Sequence, residues 1–175
     1  EKGLLGSNYY TKNPTIDLDK VNYMINLDMV GRLDEEKKLA VNGVGTSPDW
    51  LDEIEEIRVD SLEIVTSESG VGPSDHTSFY LQDIPVLHFF TGTHEDYHKP
   101  SDDADLINYE GMVSVTNYID SLITRLDDDP QLAFTKTKDE SGQAPRFTVT
   151  LGVVPDYLFN GKGMRIDGIS DGKPA

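Results

Sequence analysis

Apolar side chains along this chain come in short blocks whose spacing switches between strand-like and helix-like. Gly3 to about Asn13 reads as a short helix closed by Pro14, because proline disfavours helical geometry in the residue before it. Val21 to Val30 is rich in β-branched and aromatic residues and predicts a buried strand whose polar end is Asp28-Met29-Val30-Gly31. Lys38 to Val44 predicts a second strand. Pro48 then opens a helix in which Trp50, Leu51, Ile54 and Ile57 recur at three- and four-residue spacing, with the acids turned outward. Leu62 to Thr66 is a third short strand. Ser74 is placed to cap a helix running to about Gln82, and Ile84 to Phe90 is a strongly apolar strand. After a polar loop from Thr91 to Asp105, the stretch Tyr109 to Leu126 sets Met112, Val115, Ile119, Leu122, Ile123 and Leu126 on one helical face.

Strands alternating with helices predict an α/β fold with a mainly parallel central sheet flanked by helices, in which ligands gather at the carboxyl ends of strands. From Asp127 to Arg146 the composition changes to Asp, Pro, Lys, Thr, Ser and Gly, which is linker composition. Beyond it, Phe147 to Val154 and Gly163 to Ile169 alternate in a β manner around glycine-rich turns. So short a stretch makes a poor independent core. The expected organisation is an α/β domain over residues 1–127, a linker over 128–146 and a partial β-rich module over 147–175.

Composition narrows the chemistry. With 32 acidic and 15 basic side chains the formal charge is −17, which argues against a nucleic-acid or anionic-membrane surface. There is no cysteine, so a thiol nucleophile and Cys-ligated zinc are excluded, and any metal must be held by His, Asp and Glu. No apolar run is long enough for a membrane span, and Glu1 to Ser7 does not have the pattern of a signal peptide.

Two anomalies stand out. Asp28 ends an otherwise apolar run, where an unpaired carboxylate would be costly; pairing with Arg32 and ligation of a metal both answer it. His98 lies in the loop after the apolar strand among Asp96, Tyr97, Ser101, Asp102 and Asp103, neighbours able to orient a metal-bound imidazole. His88, inside the apolar run, reads as a core residue or a support for a ligand, and His94 as solvated or as a rim residue. Glu1 has no preceding context and on its own reads as a frayed terminus. Asp17, Asp19, Asp34-Glu35-Glu36 and Asp52 to Glu56 read as solvated surface, since none fits a calcium-loop order. Ser74, Asp75 and His76 invite a nucleophilic triad. Triad members converge from separate loops, however, and no Gly-x-Ser-x-Gly elbow is present.

Four segments occur in order: Glu1-Lys2-Gly3-Leu4-Leu5-Gly6-Ser7, Asn26-Leu27-Asp28-Met29-Val30-Gly31-Arg32, Ser74-Asp75-His76-Thr77-Ser78-Phe79 and Tyr97-His98-Lys99-Pro100-Ser101-Asp102-Asp103. Together, over residues 1 to about 127, they resemble the later part of the M28 family of zinc aminopeptidases. The tail, with Thr150-Leu151-Gly152-Val153 and Gly163 to Ala175, resembles the first half of a bacterial PDZ domain. The resemblance implies a two-zinc site in which Glu1, Asp28 and His98 are ligands. Asp75 and His76 would lie beside the cleft, positioning substrate or supporting the ligands, with Tyr97 nearby and Asp102 orienting His98. Leu151 and Gly152 would match the loop that receives a peptide carboxylate. It further implies a peptide substrate and a secreted or periplasmic setting.

In the family the general-base Glu directly precedes the ligand Glu, and a His-x-Asp motif with the bridging Asp lies further upstream. The present 175 residues are therefore expected to bind zinc weakly and to hydrolyse little by themselves. Two other readings stay open: a glutaminyl cyclase-like acyltransferase with a single zinc, and a noncatalytic peptide-binding module. His with carboxylates suits zinc, but also cobalt or manganese.

Overall fold

The computed structural model describes residues 4–57, 62–127, 130–137, 153–155, 162–163 and 166–169. In chain order they form helix α1 (Leu5–Lys12), strands β1 (Met24–Asp28) and β2 (Lys38–Asn42), helix α2 (Trp50–Glu56), strand β3 (Glu63–Ser67), helix α3 (His76–Tyr80), strand β4 (Val86–Phe90) and helix α4 (Tyr109–Leu126). Two short strands follow, β5 (Val153–Pro155) and β6 (Ile166–Ile169).

The apolar block Val86–Phe90 lies inside a four-stranded sheet of order β1-β4-β2-β3, which explains why all five of its residues are buried. β4 runs parallel to β1, with Asp28 opposite Phe90, and β2 runs parallel to β3. The β2–β4 pairing is antiparallel, with Asn42 opposite His88. The sheet is therefore mainly parallel with one reversal at its centre, a feature that strand-helix alternation does not reveal.

Period-two alternation gives the sheet two unlike faces. Leu39, Val41, Leu87 and Phe89 join Trp50 and Ile54 of α2 and Val115, Tyr118, Ile119 and Leu122 of α4 in one apolar cluster. The other face carries Asn26, Asp28, His88 and Asn42, and α3 covers it through the stacking of His76 on His88.

A polar node sits within the core. Thr46 is fully buried; its Oγ1 accepts from Trp50 Nε1 (3.1 Å) and Val86 N (3.0 Å), and its proton has Gly43 O at 2.7 Å and Val86 O at 3.0 Å. Gly43 makes the turn into this node at φ 91°, and a Cβ there would stand 2.4 Å from Val86 O, so only glycine fits. Helix α4 starts on Asn108, whose side chain accepts from Gly111 N (2.9 Å) while its amide donates to Leu33 O (2.8 Å).

Ser74 does not act as the expected cap. Its hydroxyl is engaged by Asp28, and Asp75, which occupies the position before α3, makes no capping bond and accepts from Ser7 instead. Within the stretch of linker composition, residues 130–137 lie against the sheet unit. Leu132 is buried in its core, Leu132 N donates to Asn22 Oδ1 (2.7 Å), and Thr135 N donates to Thr46 O (2.8 Å). Among the described residues no helix is long and apolar enough to cross a membrane. β5 and β6 pair antiparallel, Val153 opposite Ile169, while Leu151 and Gly152 lie outside the described residues.

Candidate metal centre

Asp28 is the last residue of β1, and Met29 turns the chain with a left-handed φ of 58°. One carboxylate oxygen, Oδ2, accepts three hydrogen bonds: from Ser74 Oγ (2.6 Å), His88 Nε2 (2.8 Å) and Asn26 Nδ2 (3.1 Å). The other, Oδ1, takes no hydrogen bond from the described residues, and the side chain is 38% exposed. The His88 bond, then those from Ser74 and Asn26, hold the carboxyl at about 2 against the opposing effect of burial. The alternative pairing of Asp28 with Arg32 is not what forms. Arg32 instead reaches Asp96 (2.5 Å), Leu106 O (3.2 Å) and Asp102 (3.6 Å).

The sheet register builds this arrangement. Asn26 lies opposite His88 on one side and Asn42 lies opposite it on the other, so three polar side chains form a row across strands β1, β4 and β2. Asn42 Nδ2 lies 3.3 Å from His88 Nδ1, which leaves Nδ1 as acceptor and the proton on Nε2, where it is donated to Asp28.

Below His88 lies His76, 1% exposed, its ring stacked at 4.5 Å and 9°. Among the described residues neither of its ring nitrogens has a hydrogen-bond partner. Burial, followed by the neighbouring His88, pushes the imidazole down to about 3, so it is neutral at physiological pH. Gly72 leaves room for it, since a Cβ there would stand 2.9 Å from His76 Nε2. His76 is thus packed beneath His88, on the covered side of that ring. Asp75 accepts from Ser7 Oγ at 2.6 Å, and Ser7 also lies 2.9 Å from Ser78 Oγ, so this pair ties α1 to α3.

His98 is exposed, in the loop between β4 and α4, with a left-handed φ of 57° and the Tyr97 ring 3.9 Å from its own. Because β1 and β4 are parallel and in register, this loop leaves the sheet beside Asp28. Asp102 lies 3.6 Å from Arg32 and 3.8 Å from His94 Nε2. His94 is largely buried, and burial, then Arg32, lowers its pKa. Glu1 lies outside the described residues, and among the described ones no three His, Asp or Glu side chains close into a complete metal cage.

Sequence reasoning missed Asn26, Asn42 and Ser7. An amide at Asn26, two positions before Asp28 within Met24-Ile25-Leu27, is the same kind of anomaly as Asp28 and points to the same face of the strand.

A carboxylate clamped through one oxygen and open at the other fits a metal ligand, and its hydrogen-bonded supports are of the kind that orient such ligands. The fold and this cluster define an α/β unit with its polar residues at the carboxyl end of a parallel strand pair. The chain belongs to peptidase family M28, whose sequence pattern matches residues 1–123. Solved structures agree. BSAP, a zinc aminopeptidase from Bacillus subtilis, is 28% identical with a TM-score of 0.57, over 78% of this chain and 34% of its own. The aminopeptidase from Aneurinibacillus sp. strain AM-1 is 24% identical with a TM-score of 0.56, over 77% and 32%. The LapA aminopeptidase of Legionella pneumophila is 24% identical with a TM-score of 0.53, over 70% and 35%. The chain thus spans about a third of the length of these structures. No curated protein matches it.

Proposed function

We propose that this chain is part of a zinc-dependent aminopeptidase that removes N-terminal residues from peptides, with Glu1, Asp28 and His98 as its share of a two-ion site. The observation that carries the reading is the Asp28 carboxylate, held by three donors on Oδ2 at the end of β1 and kept ionised far below neutral pH. Membership of family M28 and the likeness to BSAP, a zinc aminopeptidase, support it.

When bound, zinc supplies a Lewis acid that polarises a carbonyl oxygen and lowers the pKa of water. The chain's own residues do the rest of the positioning. His88 fixes the direction of the Asp28 carboxylate through Nε2, and Asn42 fixes the His88 tautomer. The Tyr97 ring restricts the rotation of His98. By the family resemblance, these 175 residues include neither a general base nor a bridging carboxylate, so the isolated polypeptide is expected to turn over little substrate. The Leu151-Gly152 segment is proposed to receive a peptide C-terminus.

The test uses the full-length protein and a series of aminoacyl anilides. Zinc-dependent release, abolished by a chelator, restored by zinc, and reduced at least about a hundredfold in Asp28→Ala and His98→Ala, is the expected result. Turnover that survives complete chelation, or cyclisation of N-terminal glutamine in place of hydrolysis, would overturn it.

A further inference from the structure

We infer that Arg32 is a positioning residue for His98: it clamps the loop that carries this histidine onto the turn that carries Asp28. The inference rests on the reading of Asp28 and His98 as metal ligands.

Asp28 is fixed from within the sheet, by strand neighbours and by Ser74. His98 lies off the sheet. It is exposed, in a long polar loop, and has a left-handed φ of 57°, which a residue with a Cβ keeps only when its surroundings hold it there. Apolar packing cannot place this loop, because residues 95 and 97–106 are exposed and only 91–94 and 96 turn inward.

Arg32 follows Asp28 by four residues, and its guanidinium meets the loop on both sides of His98. Asp96, two residues before, is at 2.5 Å; Asp102, four residues after, is at 3.6 Å; and Leu106 O is at 3.2 Å. The Arg32 side chain is only 16% exposed. The guanidinium is a rigid planar fork whose spread donors reach acceptors on both sides of His98, whereas the ammonium of a lysine is a compact point charge that fixes no such geometry. Backbone links brace the same junction: Thr91 Oγ1 donates to Met29 O, and Asn108 N donates to Gly31 O at 2.8 Å. Ser101 Oγ donates to the remaining oxygen of Asp96 at 2.8 Å, which closes the loop on itself around His98. Partly exposed ion pairs add little to global stability, so the main effect of this three-point clamp is geometric.

The experiment measures zinc affinity by competition with a chromophoric chelator in the full-length protein and its Arg32→Ala, Arg32→Lys and Asp96→Asn variants, alongside thermal melting and amide hydrogen exchange. Zinc affinity is expected to fall about tenfold or more in Arg32→Ala, and less in Asp96→Asn. Arg32→Lys is expected to restore charge without restoring affinity, melting to change little, and exchange to quicken across residues 94–102. A residue with a merely structural role would lower the melting temperature and leave the zinc affinity of the folded protein alone. Affinity within twofold of wild type in folded Arg32→Ala would overturn the inference. Should that variant not fold, the same threshold applied to Asp96→Asn decides. A wild-type protein that binds no zinc would overturn the metal reading instead, and unchanged exchange at 94–102 in the variants would then also overturn the role of Arg32.

Discussion

His88 donates a hydrogen bond from Nε2 to Asp28 Oδ2 at 2.8 Å, joining the middle of β4 to the end of the strand beside it. This bond is the largest of the effects that lower the Asp28 carboxyl to about 2. In His88→Phe the carboxyl should titrate closer to 3.8, as followed by the side-chain carbon resonance. Both values lie far below 7, so protonation does not separate the two proteins at neutral pH. The roughly tenfold loss of zinc affinity expected of this variant would therefore report lost orientation. An unmoved carboxyl titration would contradict the assignment.

His76 contributes to the acid sensitivity of the fold. Its folded pKa is depressed to about 3 from 6.5, so between these values the unfolded chain binds a proton that the folded chain does not. Its contribution is whole above about 6.5 and is lost as pH falls toward about 3, with a limiting slope of about 1.4 kcal/mol per pH unit. His76→Phe keeps a ring against His88 and removes the titration. Denaturant unfolding across this range should show a shallower decline in the variant, and parallel curves would refute the account.

Thr46→Val preserves shape and deletes the hydroxyl that serves Trp50 Nε1 and Val86 N. Both donors are then left unpaired in the core, at a cost of about 2–4 kcal/mol. Equilibrium unfolding measures it, and a loss below about 0.5 kcal/mol would show that the node is dispensable.

Asn108→Ala removes the cap on Gly111 N together with the bond to Leu33 O, and should destabilise by about 1–2 kcal/mol. Asn108→Asp retains the acceptor for Gly111 N and loses the donor to Leu33 O. Its melting temperature should fall between those of wild type and the alanine variant.

The fold was legible where period and punctuation agreed. Tyr109 to Leu126 is a helix to the residue because its apolar face recurs regularly and Asn108 caps it, and Val86–Phe90 is a buried strand because a central position favours a continuous apolar run. The reversal between β2 and β4 left no trace, since strand direction depends on crossovers rather than on side-chain pattern. Of the candidate site, Asp28 and His98 stood out as polar residues beside buried strands. Asn42 did not, because its meaning comes only from lying opposite His88 in the register. Arg32 was visible as a possible partner of Asp28, yet its engagement with Asp96 and Asp102 needed the loop's path. Ser74 is instructive: its place before a helix predicted a cap, but an ionised carboxylate at 2.6 Å is the stronger acceptor for its hydroxyl.

Thr137 donates from its backbone to Tyr80 Oη at 3.0 Å and accepts from Gly70 N at 3.1 Å, close to the Gly43–Thr46 turn beside the first residue of β4. Asp28 stands at the far end of the same strand pair, opposite Phe90. The polypeptide is thus moored at the back of the sheet while its polar cluster opens at the front. A substitution that frees Thr137 from Tyr80 and Gly70 therefore acts at the end of the strand pair remote from Asp28.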